Sequence, residues 1–263
     1  MKKFLVFSFL LVWIFGFTQT VKTDFVYKVN EPTKKTDKAP PLLIMLHGYG
    51  SNEEDLFDVA KVLDPRFMII SIRGPRVVKD GGFCYYDLEF LPEQKFKYDY
   101  NQAKESRLKI LSFISNACKT YKLDSNNVFI MGFSQGAIMG YDLALAAPKK
   151  IKGVLALSGR MMEESKNLKT DWNKAAKTKY FIAHGNSDNV IKIAEADSVV
   201  KYFKLKKVTE VTFKNYEMPH SICGTELNDI KKCLTKAIDP PEKVVAVPTT
   251  KVAPVNTAGQ KKK

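Results

Sequence analysis

The chain has 263 residues, 45% of them hydrophobic, and a formal net charge of +14. That length and apolar content predict a single domain with one sizeable core and two extra ends. The positive charge is spread along the chain, apart from Lys261-Lys262-Lys263, and no nucleic-acid-binding motif accompanies it; nucleic acid is therefore excluded as a partner, while weak contact with anionic surfaces is favoured.

Met1-Lys2-Lys3 precedes an apolar run over 4–17. A basic start and a short apolar run predict a secretory signal peptide, because a spanning helix needs roughly 20 apolar residues. Gly16 and Thr18 are the small residues before a cut that leaves Gln19 first. Residues 1–18 are thus expected to be a signal peptide and the mature protein to be exported, periplasmic or secreted. An uncleaved segment would instead anchor the chain to the membrane. Losing Lys2 and Lys3 leaves a charge of +12, so the basic excess survives processing.

The domain is expected over 19–239. Residues 21–29 alternate as a strand, 42–46 form a buried strand, 52–63 a helix with an acidic first turn, and 67–72 another strand. Residues 73–98 read as a long irregular segment carrying Phe83, Tyr85, Tyr86, Phe90, Phe96 and Tyr98. Long loops are usually functional or disordered, and aromatic content argues for one wall of a substrate site; a flap covering the sheet edge is the alternative. A helix over 101–121 shows Leu108, Leu111, Ile114 and Cys118 at helical spacing. Strands follow at 128–131, 153–157, 179–183 and 208–213, with helices after Gly136 and over 193–204 and 225–237. Strands alternating with helices predict a mostly parallel sheet covered on both faces. No large cap domain is inserted, so the site should be an open groove. Asp239-Pro240-Pro241 ends the last helix, and 240–263 reads as a disordered basic tail.

Gly132-Phe133-Ser134-Gln135-Gly136 lies between the strand Val128-Phe129-Ile130-Met131 and an apolar helix. That context describes a nucleophile elbow, a tight turn that lifts a serine above a sheet and needs small residues two before and two after it. A glycine-rich turn with an exposed serine is the alternative. The strand ending Leu46-His47-Gly48-Tyr49-Gly50 would supply one oxyanion-hole N–H, from Tyr49, and the residue after the serine, Gln135, the other. His47 reads as a brace for that loop. An acid follows the strand Tyr180-Phe181-Ile182-Ala183, at Asp188. Of the three histidines, 47, 184 and 220, only His220 follows both Ser134 and Asp188, as the order serine, acid, histidine requires. The predicted catalytic residues are Ser134, Asp188 and His220. Cys84, Cys118, Cys223 and Cys233 show neither a disulfide framework nor metal-ligand spacing, so free thiols and no zinc are expected.

These stretches, together with Ala156-Leu157-Ser158-Gly159 and His184-Gly185, resemble the small carboxylesterase/phospholipase family that includes the acyl-protein thioesterases, over about 41–238. The resemblance implies an α/β-hydrolase fold and a carboxylesterase-type serine hydrolase. Such an enzyme cleaves small-molecule or polymer-linked carboxylic esters through an acyl-enzyme, with no metal or organic cofactor. Tyr49-Gly50-Ser51 stands where many members carry Leu-Gly-Asp, which bears on the acyl pocket. Expected substrate-binding residues are Tyr49, Phe83, Tyr85 and Tyr86. Lysophospholipase or acyl-thioesterase activity is the alternative; a non-catalytic surface-binding protein on the same scaffold is the remote one. Nothing in the sequence sets the oligomeric state.

Overall fold

Five apolar runs lie side by side at the centre of the protein. In this computed structural model, which describes residues 20–79, 81–92 and 95–239, β1 (Tyr27–Asn30) is followed by two of them, β2 (Leu42–Leu46) and β3 (Met68–Ile72). Two short hairpins come next, β4 (Arg76–Val77) with β5 (Phe83–Cys84) and β6 (Leu88–Leu91) with β7 (Lys95–Tyr98). Then follow α1 (Tyr100–Thr120), β8 (Val128–Phe133), α2 (Gln135–Ala146), β9 (Gly153–Leu157), α3 (Glu163–Lys166), α4 (Trp172–Ala175), β10 (Lys179–Gly185), α5 (Ile193–Leu205), β11 (Val211–Tyr216) and α6 (Gly224–Ile238). The expected signal peptide and tail, 1–18 and 240–263, lie outside the described residues.

The main sheet runs β1-β3-β2-β8-β9-β10-β11. Only β1, at one edge, is antiparallel among these described strands. Parallel strands buried on both faces read as unbroken apolar runs, and every residue of β2, β3 and β9 is buried. Successive side chains point to opposite faces. Leu42, Ile44, Ile130, Val154 and Ile182 therefore enter one core with α1, α2 and α5. Leu43, Met45, Phe129, Leu155 and Phe181 enter the other, with α6 and the 3-10 turn at Phe57–Val62. Helices cover both faces of a mostly parallel sheet with no large cap, which is the α/β-hydrolase architecture.

Several expected boundaries moved. The helix expected over 52–63 is a set of turns ending in that 3-10 turn. Asn52 Oδ1 accepts the Glu54 N–H at 2.8 Å, while Glu53 turns inward and grips Arg73 with both carboxylate oxygens. The described residues of 73–98 form two short antiparallel strand pairs rather than irregular chain. The first strand begins at Tyr27, because the Tyr27 hydroxyl holds back the Val21 N–H at 2.8 Å. The last begins at Val211, because the Val208 N–H closes the end of α5 onto Phe203 O at 3.0 Å.

On α1 the buried face is Ala103, Ser106, Arg107, Ile110, Phe113, Ile114, Ala117 and Cys118, and Leu108 is 58% exposed. Arg107 takes the inward position because its Nη1 donates to both Asp142 carboxylate oxygens, at 3.0 and 2.8 Å. Ser165 adds a hydroxyl to Asp142 at 2.7 Å. This fully buried carboxylate ties α1, α2 and α3 together.

Candidate active site

The turn from β8 into α2 has Ser134 at φ +53°, ψ −114°, a region that side-chain-bearing residues rarely occupy and that the surroundings must hold in place. Its N–H donates to Leu157 O of β9 at 2.9 Å, and its carbonyl accepts the Ile138 N–H at 3.1 Å. The flanking glycines allow this by close approach. A Cβ on Gly132 would stand 2.2 Å from the Gly136 backbone, and one on Gly136 2.0 Å from Leu46 O.

Gln135 follows the serine and is buried. Its side chain accepts the Tyr85 N–H at 2.9 Å and donates to Tyr86 O at 2.8 Å, so it pins the chain between the two hairpins to the elbow. Its own N–H belongs to the first turn of α2, where amides lack intrahelical acceptors. On the other side, the β2 turn carrying Tyr49 is held by the first hairpin. Gly50 N–H donates to Phe83 O at 2.9 Å, and Phe83 N–H to Ser51 O at 2.7 Å. His47 braces this turn from beneath. Its Nδ1–H donates to Gly48 O at 2.7 Å, and its Nε2 accepts the Gly74 N–H at 2.8 Å. Burial pushes the ring below its ordinary pKa, so it stays neutral.

Asp188 follows β10, and its side chain is fully buried. Oδ1 accepts the N–H groups of Val190 and Ile191, each at 2.8 Å. Oδ2 accepts Nδ1–H of His220 at 2.7 Å, with His184 Nε2 at 3.3 Å. Burial pushes the carboxyl up, but hydrogen bonds from His184, His220 and Ile191 outweigh it and hold the carboxyl well below its usual range. His220 comes from the loop after β11. With Nδ1 committed to Asp188, Nε2 is its remaining ring nitrogen, and the ring packs against Phe133, the residue before the serine, at 4.8 Å between centroids. His184 is fully buried and donates Nε2–H to Ile191 O at 2.7 Å. Asp188 therefore meets both rings, with its shorter bond, 2.7 Å, to His220.

A narrow cleft opens beside Ser134. Its walls are Tyr86, Leu88, Phe90, Phe96 and Tyr98 from the second hairpin and its approach, Gln135 and Ile138 from α2, Arg160 and Met162 after β9, and Val190 and Ile191 after Asp188. Of the four expected substrate-binding residues, Tyr86 lines it. Tyr85 does not: it is fully buried, and its hydroxyl accepts the His47 N–H and donates to Ile72 O. Phe83 faces away under the Arg73 guanidinium, 4.3 Å from its ring centre. Tyr49 is not part of the lining either; its ring stands edge to face with that of Phe90, which is, at 5.9 Å between centroids.

The family profile described as phospholipase/carboxylesterase matches residues 28–238. The chain belongs to the phospholipase/carboxylesterase family. Among relatives of this chain, acyl-protein thioesterase 1 of Kluyveromyces lactis is 27% identical over 218 residues, covering 78% of this chain and 95% of that one. A carboxylesterase of Bacillus cereus superposes with a TM-score of 0.70 at 24% identity, covering 82% and 96% of the two chains. Acyl-protein thioesterase 2 of Zea mays superposes with a TM-score of 0.65 at 20% identity, covering 81% and 98%. These two likenesses bear on the fold. The sequence reading does not name Arg160, Met162, Val190 and Ile191 as site residues, although they line the cleft. Their one local signal is position, two to four residues past Ser158 or Asp188, just beyond the ends of central strands.

Proposed function

We propose that this chain is a carboxylesterase-type serine hydrolase acting through Ser134, His220 and Asp188. The 2.7 Å bond between Asp188 and His220, beside a serine in a forced backbone conformation at the mouth of an apolar cleft, carries the reading. Ser134 Oγ attacks the ester carbonyl while His220 Nε2 takes its proton. Asp188 holds the Nδ1–H tautomer and stabilises the imidazolium. The amides of Tyr49 and Gln135 receive the oxyanion, each contributing about 3–4 kcal/mol. The alcohol leaves with the proton from His220, and water hydrolyses the acyl-enzyme by the same route in reverse. No step calls for a metal or organic cofactor.

The basic, apolar segment over 1–18 supports export, with the mature chain beginning at Gln19. An exported enzyme meets oxygen esters rather than S-acylated cytoplasmic proteins, so carboxylic esters of small or polymer-linked alcohols are the proposed substrates. The thioesterase names among the relatives support a second reading, thioester hydrolysis by the same machinery. A fluorophosphonate probe should label Ser134, since only an activated serine reacts. A panel of p-nitrophenyl esters and matched thioesters of rising acyl length should show the rate climbing by at most about fourfold per methylene, then levelling at short to medium length as the cleft fills. Absence of labelling with no ester or thioester turnover would sink the proposal.

A further inference from the structure

The lining of the cleft beside Ser134 is mostly apolar, yet it carries one formal charge, the guanidinium of Arg160. The use of arginine in this chain is sparse and consistent. Of its 42 basic residues, five are arginines. Arg66 holds Asp64 and Asp239, Arg73 holds Glu53, Arg76 holds Glu105, and Arg107 holds Asp142. Each of these four arginines grips a carboxylate. Arg160 is the exception among the described residues. Its guanidinium lies over the ring of Phe96, 5.3 Å from centroid to Cζ. Phe96 lines the same cleft, so the stack holds the planar fork at the cleft wall. The nearby acid, Glu164, is engaged by the Tyr98 hydroxyl at 2.7 Å.

An arginine is the side chain suited to fixed, two-pronged recognition of carboxylate or phosphate. A half-buried one among apolar walls offers an anion a stronger interaction than water allows. The net positive charge, +12 once Lys2 and Lys3 are lost, also favours the approach of anions.

We propose that the preferred substrates of this site are esters bearing an anionic group, carboxylate or phosphate, which Arg160 receives while the scissile carbonyl lies at Ser134. The inference rests on the hydrolase reading and narrows it to a substrate class.

Two arms locate the anion. In the acyl arm, mono-4-nitrophenyl glutarate is compared with 4-nitrophenyl pentanoate. In the alcohol arm, butyryl glycerol 3-phosphate is compared with monobutyrin. The readout is the ratio of kcat/KM for the anionic over the neutral ester. In wild type that ratio should exceed one in at least one arm. Arg160→Gln should lower it by about 10- to 100-fold in that arm, Arg160→Lys by less, and Arg160→Glu should reverse the preference. A fall in the acyl arm assigns the anion to the acid moiety; a fall in the alcohol arm assigns it to the leaving group. Ratios that stay flat across the variants in both arms, in enzyme that still labels at Ser134 and turns over the neutral esters, would overturn the role of Arg160 and leave the hydrolase reading standing. Loss of labelling and of all turnover in wild type would instead remove the hydrolase reading, and this inference with it.

Discussion

Replacing Glu226 with glutamine should make the protein more stable at neutral and alkaline pH, and not in acid. Glu226 is fully buried at the start of α6. Its Oε2 accepts the Cys223 N–H at a long 3.4 Å, while Oε1 has no partner. Burial pushes this carboxyl from an ordinary 4.5 up to about 7, against the weaker pull of the Cys223 N–H and the charge of His184. The folded-state pKa is raised, so the folded chain holds its proton more tightly than the unfolded one. Below about pH 4.5 the carboxyl is neutral in both states, and variant and wild type should differ by under about 1 kcal/mol. As pH rises to 7 the unfolded chain ionises freely, and above 7 the folded chain must bury a charge. At 1.36 kcal/mol per pH unit the wild type loses about 3 kcal/mol across that window. Glu226→Gln keeps the accepting oxygen and cannot ionise, so it retains that stability. Urea unfolding of both proteins at pH 4.5 and pH 8 measures the gap at each pH, and groups not coupled to residue 226 cancel in the comparison. A gap equal at the two pH values would refute the reasoning.

Four further outcomes are expected. Ser134→Ala should abolish ester hydrolysis with the fold intact by circular dichroism; retention of more than a few per cent of the rate, in protein free of other esterases, would count against Ser134. Asp188→Asn should lower kcat by about 10⁴-fold through the wrong imidazole tautomer, read in the same ester assay, with a loss below about tenfold contradicting the role. Gly136→Ala drives a methyl into Leu46 O and should cost on the order of 1–3 kcal/mol together with most activity; unchanged urea midpoint and rate would argue against the close-packed elbow. Arg107→Met leaves the Asp142 carboxylate buried without its counter-ion and should destabilise by about 3–5 kcal/mol, seen as a lower unfolding midpoint, whereas a change under about 1 kcal/mol would mean that water reaches Asp142.

The central strands were legible because burial on both faces demands apolar runs, and their sequences contain little else. The elbow was legible because two glycines at fixed spacing meet a backbone approach that excludes any Cβ. Chain order singled out Asp188 and His220, and the two are hydrogen-bonded. What stayed hidden depends on distant partners. Glu53 turns inward only because Arg73 is there to meet it, so the acidic turn looked like an ordinary helix start. Tyr85 and Tyr86 read alike as cleft aromatics, yet Gln135 clamps the backbone so that one faces the cleft and the other lies beneath His47. Leu108 fitted a helical apolar stripe that Arg107 displaced by pairing with Asp142. Arg160 carries no local pattern; its setting emerges only when β9, β10 and the second hairpin converge.

The proposed nucleophile and its proposed base are carried by parts of unequal durability. Ser134 leaves a strand flanked on both sides by others, whereas His220 follows β11, which among the described residues pairs with β10 alone and is largely unburied until Tyr216. Edge segments open at lower free energy than a core does. Warming should therefore silence the protein before it melts: peeling of one border strand withdraws the histidine while the rest of the sheet stands. The inactivation curve should fall below the circular-dichroism melting curve, and brief heating followed by cooling should restore activity without any refolding of the centre.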